Sequence, residues 1–123
     1  MSRQSFIASY IEAALWSSHD DEGAPLDDGA YELAPETHAI MEREAGAFYD
    51  AHNSKFQYEY ITRNSGDVDG SAGHDFWLTR CGHGAGFWDG DWKEPIATEL
   101  TDASKAAGNC DLYIGDDGLI YQA

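Results

Sequence analysis

The stretch GHDFWLTRCGHGAGFWDG, residues 73–90, gathers the side chains most able to do chemistry: His74, Asp75, Cys81, His83 and Asp89, with two tryptophans and five glycines. It reads as two short strands, DFWLTR and GFWDGDW, around a reversal at CGHGA. Aromatic residues suit a pleated surface, and glycines permit a tight turn. A hairpin centred on residues 82–84 sets Asp75 opposite Asp91, with His74 nearby. Like charges facing across strands are destabilising, so His74, Asp75 and Asp91 are candidate ligands for a divalent cation. The alternative is that both carboxylates splay into water at the open end of the hairpin. The second reading is retained, with no metal and no cofactor assigned.

Cys81 and His83, two positions apart, can share a strand face as a thiol beside its base. A nucleophile also needs an oxyanion site and an orienting third group; the backbone N–H groups of Gly82, Gly84 and Gly86 are the available donors. The competing reading is a Cys and a His flanking a tight turn, and no catalytic residue is assigned. A small enzyme or metal-binding protein would centre on His74, Asp75, His83, Asp89 and Asp91. Familiar motifs are missing. GHGAG lacks the Lys-Ser/Thr of a phosphate loop, Asp67-Val68-Asp69-Gly70 lacks the later ligands of a calcium loop, and neither GxSxG nor HExxH occurs. His19, His38 and His52 stand singly, and His52 reads as a hydrogen-bonded core residue.

The elements that must position these groups follow from periodicity. Phe6, Ile7, Tyr10, Ile11, Ala14 and Leu15 mark one face of a helix over residues 4–17. Residues 17–29 are polar, acidic and broken by Gly and Pro, so they form a loop. Pro35 opens a second helix with Glu36 near its positive end, burying Ile40, Met41, Ala45, Phe48, His52 and Phe56 and ending near Arg63. Residues 64–73 are a second loop. Pro95 starts a third helix, with Ile96, Leu100, Ala103 and Ala107 on one face and Gly108 ending it. LYIGDDGLIYQ is a hairpin turning at Asp116-Asp117-Gly118. The expected fold is a single α+β domain over residues 1–123: two hairpins making about four antiparallel strands, covered by about three helices.

Charge restricts the partners. Twenty-three acids against seven bases give −16 and a pI near 4.3. Such a chain repels nucleic acid and anionic membranes and attracts basic surfaces. Residues 20–50 hold ten acids opposed only by Arg43. Salt adaptation and GC-rich coding also produce acidic compositions. A folded chain of 13.5 kDa exposes roughly 6,500 Å², about one net charge per 400 Å². Duplex DNA carries on the order of one per 100 Å², so only clustering approaches a phosphate backbone. No apolar run is long enough to span a bilayer, and Glu12 interrupts the apolar pattern at the N-terminus, so a cytosolic protein is expected, in which Cys81 and Cys110 are by default free thiols and a disulfide between them stays open.

The GHDFW and GHGAGFWD segments, with YIEAALWSS, PLDDGAYELAPET and DLYIGDDGLIY, resemble a family of small acidic proteins encoded by tailed bacteriophages and prophages. The likeness covers nearly the whole chain. It implies an accessory protein in an infected bacterial cytosol, and it carries over no catalytic residue. Cys81 stands where the resemblance implies a polar residue such as Asn, which argues against a thiol nucleophile. The setting favours a non-enzymatic inhibitor of the anti-CRISPR or anti-restriction type, a possible nucleic-acid mimic. Its carboxylates would cover a basic groove on a nucleic-acid-handling protein, without binding nucleic acid directly. The residues expected to carry this are Asp20, Asp21, Glu22, Asp27, Asp28, Glu32 and Glu36, with Trp88 and Trp92 as exposed aromatic anchors.

Overall fold

The computed structural model describes residues 3–20, 22–28, 31–59, 68–81, 86, 87, 92 and 94–123. Among these the order is helix α1 (Arg3–Ser17), strand β1 (Glu32–Leu33), helices α2 (Pro35–Glu59), α3 (Val68–Arg80) and α4 (Ile96–Ala106), then strands β2 (Leu112–Ile114) and β3 (Leu119–Gln122). The class is α+β.

Three elements form where periodicity places them. In α1, Phe6, Ile7, Tyr10, Ala13 and Ala14 are buried. Helix α2 begins at Pro35, whose missing N–H is harmless in a first turn, and carries Glu36 at its positive end. Helix α4 follows Pro95 and is closed by Gly108, whose φ of +90° is costly for any residue with a Cβ.

Two expectations are corrected. DFWLTR is not a strand: residues 75–80 lie in α3, whose first turns also take up residues 68–73 of the expected second loop, while most of GFWDGDW lies outside the described residues. Ten of the thirteen residues of α3 are buried, so the helix shows neither the alternation of a half-buried strand nor the stripe of a surface helix. The antiparallel four-stranded sheet is likewise replaced, among the described residues, by three strands in the order β1-β3-β2. β2 and β3 form the expected antiparallel hairpin, while β1 joins β3 in parallel, pairing Glu32 with Leu119 and Leu33 with Ile120.

The core lies between α1, α2 and α3. Phe48 and Phe76 stack with ring centroids 3.9 Å apart, Phe6 stacks on Phe56 at 5.6 Å, and Tyr10 on Phe76 at 5.1 Å. Each such pair adds about 0.5–1.5 kcal/mol beyond area burial. Phe87 and Trp92 meet edge to face at 5.5 Å and extend the cluster. Helix α1 reaches α3 closely because Gly73 faces the Phe6 carbonyl oxygen, where a Cβ would collide. Trp77 is buried and donates its indole N–H to Ser17 Oγ at 2.9 Å, which ties α3 to the end of α1.

Candidate docking surface

A face rich in exposed carboxylates is built on the terminal hairpin. Gly115 N–H donates to Leu119 O and Gly118 N–H to Gly115 O, closing the turn through Asp116 and Asp117. Gly118 has a φ of +79°, which a glycine adopts without strain. Ile120 is fully buried, so its strand neighbours Leu119 and Tyr121 point to the other side of the sheet. Tyr113 pairs with Tyr121 across the strands, and their rings stack at 5.8 Å. Tyr113 is 50% exposed. Tyr113, Asp116, Asp117 and Tyr121 line an open depression.

On the other side of β3, the parallel pairing sets Glu32 beside Leu119, on the same face. Two residues after β1, α2 begins, and exposed Glu36 in its first turn lies close enough for its charge to act on Tyr121. Glu32, Glu36, Asp116 and Asp117 are all exposed. Tyr121 Oη donates to Asp117 Oδ2 at 2.5 Å, while Asp117 Oδ1 accepts the Leu119 N–H at 3.0 Å. Those two bonds hold the Asp117 carboxyl below its ordinary range. The Tyr121 phenol is pushed up to about 12 by the bond to Asp117, with the surrounding acids adding to it. Asp117 therefore stays ionised and Tyr121 stays neutral.

Three of the described bases are paired away from this face. Arg3 is paired with Asp50 at 3.0 Å, Lys55 with Glu99 at 3.5 Å, and buried Arg80 with Glu44 at 2.9 Å. Among the described residues, no ion pair involves Glu32, Glu36, Asp116 or Asp117.

No protein-family model, curated protein or solved structure matches this chain.

The remaining predicted residues are distributed as follows. Glu22 and Asp27 are exposed on the loop after α1. Asp20 is half-buried, and its Oδ1 accepts the N–H groups of Glu22 and Ala24, each at 2.9 Å, so it folds that loop. Asp21, Trp88, His83, Asp89 and Asp91, and the side chain of Asp28, lie outside the described residues. Trp92 is not an exposed anchor. It is 3% exposed, packed on Phe56 and Phe87, with its indole N–H bonded to Asp75 Oδ2 at 2.7 Å.

That bond also changes the reading of Asp75. Its carboxylate is buried in α3 rather than facing another acid across a hairpin, and it serves as the acceptor for a core tryptophan. His74 Nδ1 lies 3.8 Å from Asp75 Oδ1. Among the described residues, no three His, Cys, Asp or Glu side chains converge as metal ligands. His52 is half-buried, 3.4 Å from Lys55 Nζ, and burial followed by the Lys55 charge lowers its pKa. No described helix is long and apolar enough to cross a membrane.

Sequence reasoning missed Tyr113, Asp116, Asp117 and Tyr121 as surface residues of interest, having read them only as the strands and turn of a hairpin. It also missed Trp16, which is 56% exposed at the end of α1, just before the acidic loop. The signal was available there. Trp16 falls outside the stripe of Phe6, Ile7, Tyr10, Ile11, Ala14 and Leu15, and a large aromatic residue off the apolar stripe must face outward.

Proposed function

We propose that this chain is a non-enzymatic acidic inhibitor that docks on a basic, nucleic-acid-binding surface of a host or defence protein. The observation that supports it best is the outer face of the sheet. There Glu32, Glu36, Asp116 and Asp117 surround the stacked Tyr113–Tyr121 pair, with the described ion-paired bases committed elsewhere. The accessible surface is 6659 Å², so evenly spread charge would be several-fold sparser than on duplex DNA. Gathering carboxylates from β1, α2 and the hairpin raises the local density, and complementary charge speeds encounter with a basic groove. Tyrosine suits the centre of such a contact, because it offers a large rigid ring that also attracts guanidinium and ammonium groups. The anti-CRISPR or anti-restriction setting rests on the resemblance to phage proteins.

The test is affinity purification from phage-infected bacteria at low and high salt. The wild type is compared with a variant in which Glu32 and Glu36 become Gln and Asp116 and Asp117 become Asn. The expected result is a basic nucleic-acid-binding protein retained by the wild type at low salt, released at high salt and lost with the variant. Recovery of no such protein, or equal recovery with the variant, overturns the reading.

A further inference from the structure

Cys81 and Cys110 are 29 positions apart, yet their sulfurs lie 3.6 Å from each other. The structure fixes both ends of this approach. Cys81 directly follows α3, and its backbone N–H still bonds the Trp77 carbonyl at 3.0 Å. Cys110 lies between the glycine that ends α4 and the start of β2. Arg80, next to Cys81, draws that segment inward. Its Nε donates to Gly108 O at 2.7 Å and its Nη2 to Ala107 O at 3.2 Å. The guanidinium that holds the chain ends of α3 and α4 together is therefore what brings the two thiols into range.

We propose that Cys81 and Cys110 form a redox-active dithiol site that reacts with a hydroperoxide and closes to an intramolecular disulfide joining α3 to β2. A disulfide needs its sulfurs at about 2.05 Å, and side-chain rotation with a small backbone shift spans the difference. The roles of the two thiols follow from their surroundings. Cys81 donates its S–H toward Cys110, to the carbonyl oxygen at 3.1 Å or to the sulfur. Its hydrogen bond to Cys110 and its burial hold that thiol protonated. The Cys110 thiol is shifted the other way. The Cys81 hydrogen bond lowers it most, burial opposes this, and the Arg80 charge and a Tyr10 hydrogen bond add to the lowering. With its S–H directed at the Cys110 carbonyl oxygen, the half-exposed Cys81 is the proton-bearing partner, which leaves the buried Cys110 as the attacking thiolate and Cys81 as the resolving thiol.

The chemistry balances in two steps. Cys110 Sγ attacks one oxygen of the hydroperoxide, forming an S–O bond as the O–O bond breaks. The departing oxygen takes a proton and leaves as water or an alcohol. Cys81 Sγ then attacks the sulfenic sulfur, the S–S bond forms, the S–O bond breaks, and hydroxide leaves as water with the Cys81 proton. Two electrons pass from the sulfur pair to the peroxide.

The experiment treats the reduced full-length chain with hydrogen peroxide. The two thiols should disappear together with the loss of two hydrogens from the intact mass. The chain should stay monomeric on a non-reducing gel, and Tm should rise by roughly 5–15 °C, reversibly with dithiothreitol. Cys81→Ser should still react and accumulate a dimedone-trappable sulfenic acid at position 110, whereas Cys110→Ser should react at least about tenfold more slowly. Two thiols that persist, covalent dimers in place of an internal link, or equal rates in the two variants overturn the proposal. It does not depend on the docking function.

Discussion

Arg80 and Glu44 are 36 positions apart in sequence, and Arg80 Nη1 lies 2.9 Å from Glu44 Oε1. The same nitrogen donates to Tyr10 Oη at 2.8 Å, while the rest of the guanidinium serves the carbonyls of Ala107 and Gly108. One side chain at the end of α3 thus links α1, α2 and the C-terminus of α4, and its positive charge suits the negative end of that helix. Replacing Arg80 by Met leaves a buried hydroxyl and two helix-end carbonyls without this donor, and leaves the Glu44 carboxylate with the Gln122 amide but no cation. The expected loss is about 3–5 kcal/mol, read from urea unfolding. Arg80→Lys should recover only part of it, because an ammonium cannot reproduce the planar fork.

The same pair makes stability depend on acid. Burial pushes the Glu44 carboxyl up, but its hydrogen bonds from Arg80 and Gln122 and the Arg80 charge outweigh this and hold it below its ordinary value of 4.5. A carboxyl depressed in the folded state contributes stability that is fully present above its unfolded value and lost as pH falls through the folded one. The stability gap between the wild type and Glu44→Gln should therefore be widest near neutral pH and shrink as the pH falls to about 3. Urea unfolding across that range measures it, and a constant gap would contradict the assignment.

The contrast between α3 and its neighbours shows where sequence reasoning holds. Helices α1, α2 and α4 each expose one side, so their apolar spacing and their Pro and Gly boundaries were readable, as was the terminal hairpin with its Asp-Asp-Gly turn. Helix α3 is buried on nearly every side, and Phe76, Trp77 and Leu78 in succession look like a strand. Strand β1 is two residues long and owes its existence to β3, 87 positions away (Glu32 to Leu119). The same non-local pairing sets Glu32 and Glu36 beside the hairpin acids, so this acidic face could not be read from local clustering. The charge itself was legible; its gathering by the sheet was not.

Gly73 is a packing residue, and a methyl group there tests the approach of α1 to α3. Alanine would favour the isolated helix by about 1 kcal/mol. Its Cβ would meet the backbone carbonyl of Phe6, which cannot rotate away. Overpacking against a fixed backbone outweighs the propensity gain, so Gly73→Ala should destabilise the protein by about 1–3 kcal/mol. The check is the midpoint of thermal or urea unfolding; a stabilised variant would show that the two helices do not meet closely at this position.

Asp75 has a structural task that can be separated from metal binding. Its buried Oδ2 accepts the Trp92 indole N–H at 2.7 Å. Asp75→Asn keeps a neutral acceptor in place, while Asp75→Ala removes it and leaves a cavity. The alanine variant should lose about 1–3 kcal/mol more than the asparagine variant. The tryptophan emission of Asp75→Ala should shift as Trp92 gains access to water. Adding divalent cations should leave the wild-type Tm unchanged, and a clear rise with any of them would restore the metal reading.

The Tyr121–Asp117 contact predicts a titration that reports on the proposed docking face in the isolated protein. Tyr121 ionises at about 12 because its phenol donates to a carboxylate, and a departing proton would leave two negative groups in contact. Replacing Asp117 by Ala removes both the acceptor and the charge. The phenol should then move down toward its ordinary value of 10.0, while nearby Glu36 keeps it somewhat above that value. Tyrosinate absorbance followed through alkaline pH, with Tyr121→Phe identifying the affected phenol, measures the shift. Glu36→Gln should produce a smaller movement in the same direction. If Glu36→Gln leaves the Tyr121 titration unchanged, then α2 and the hairpin do not share one electrostatic surface.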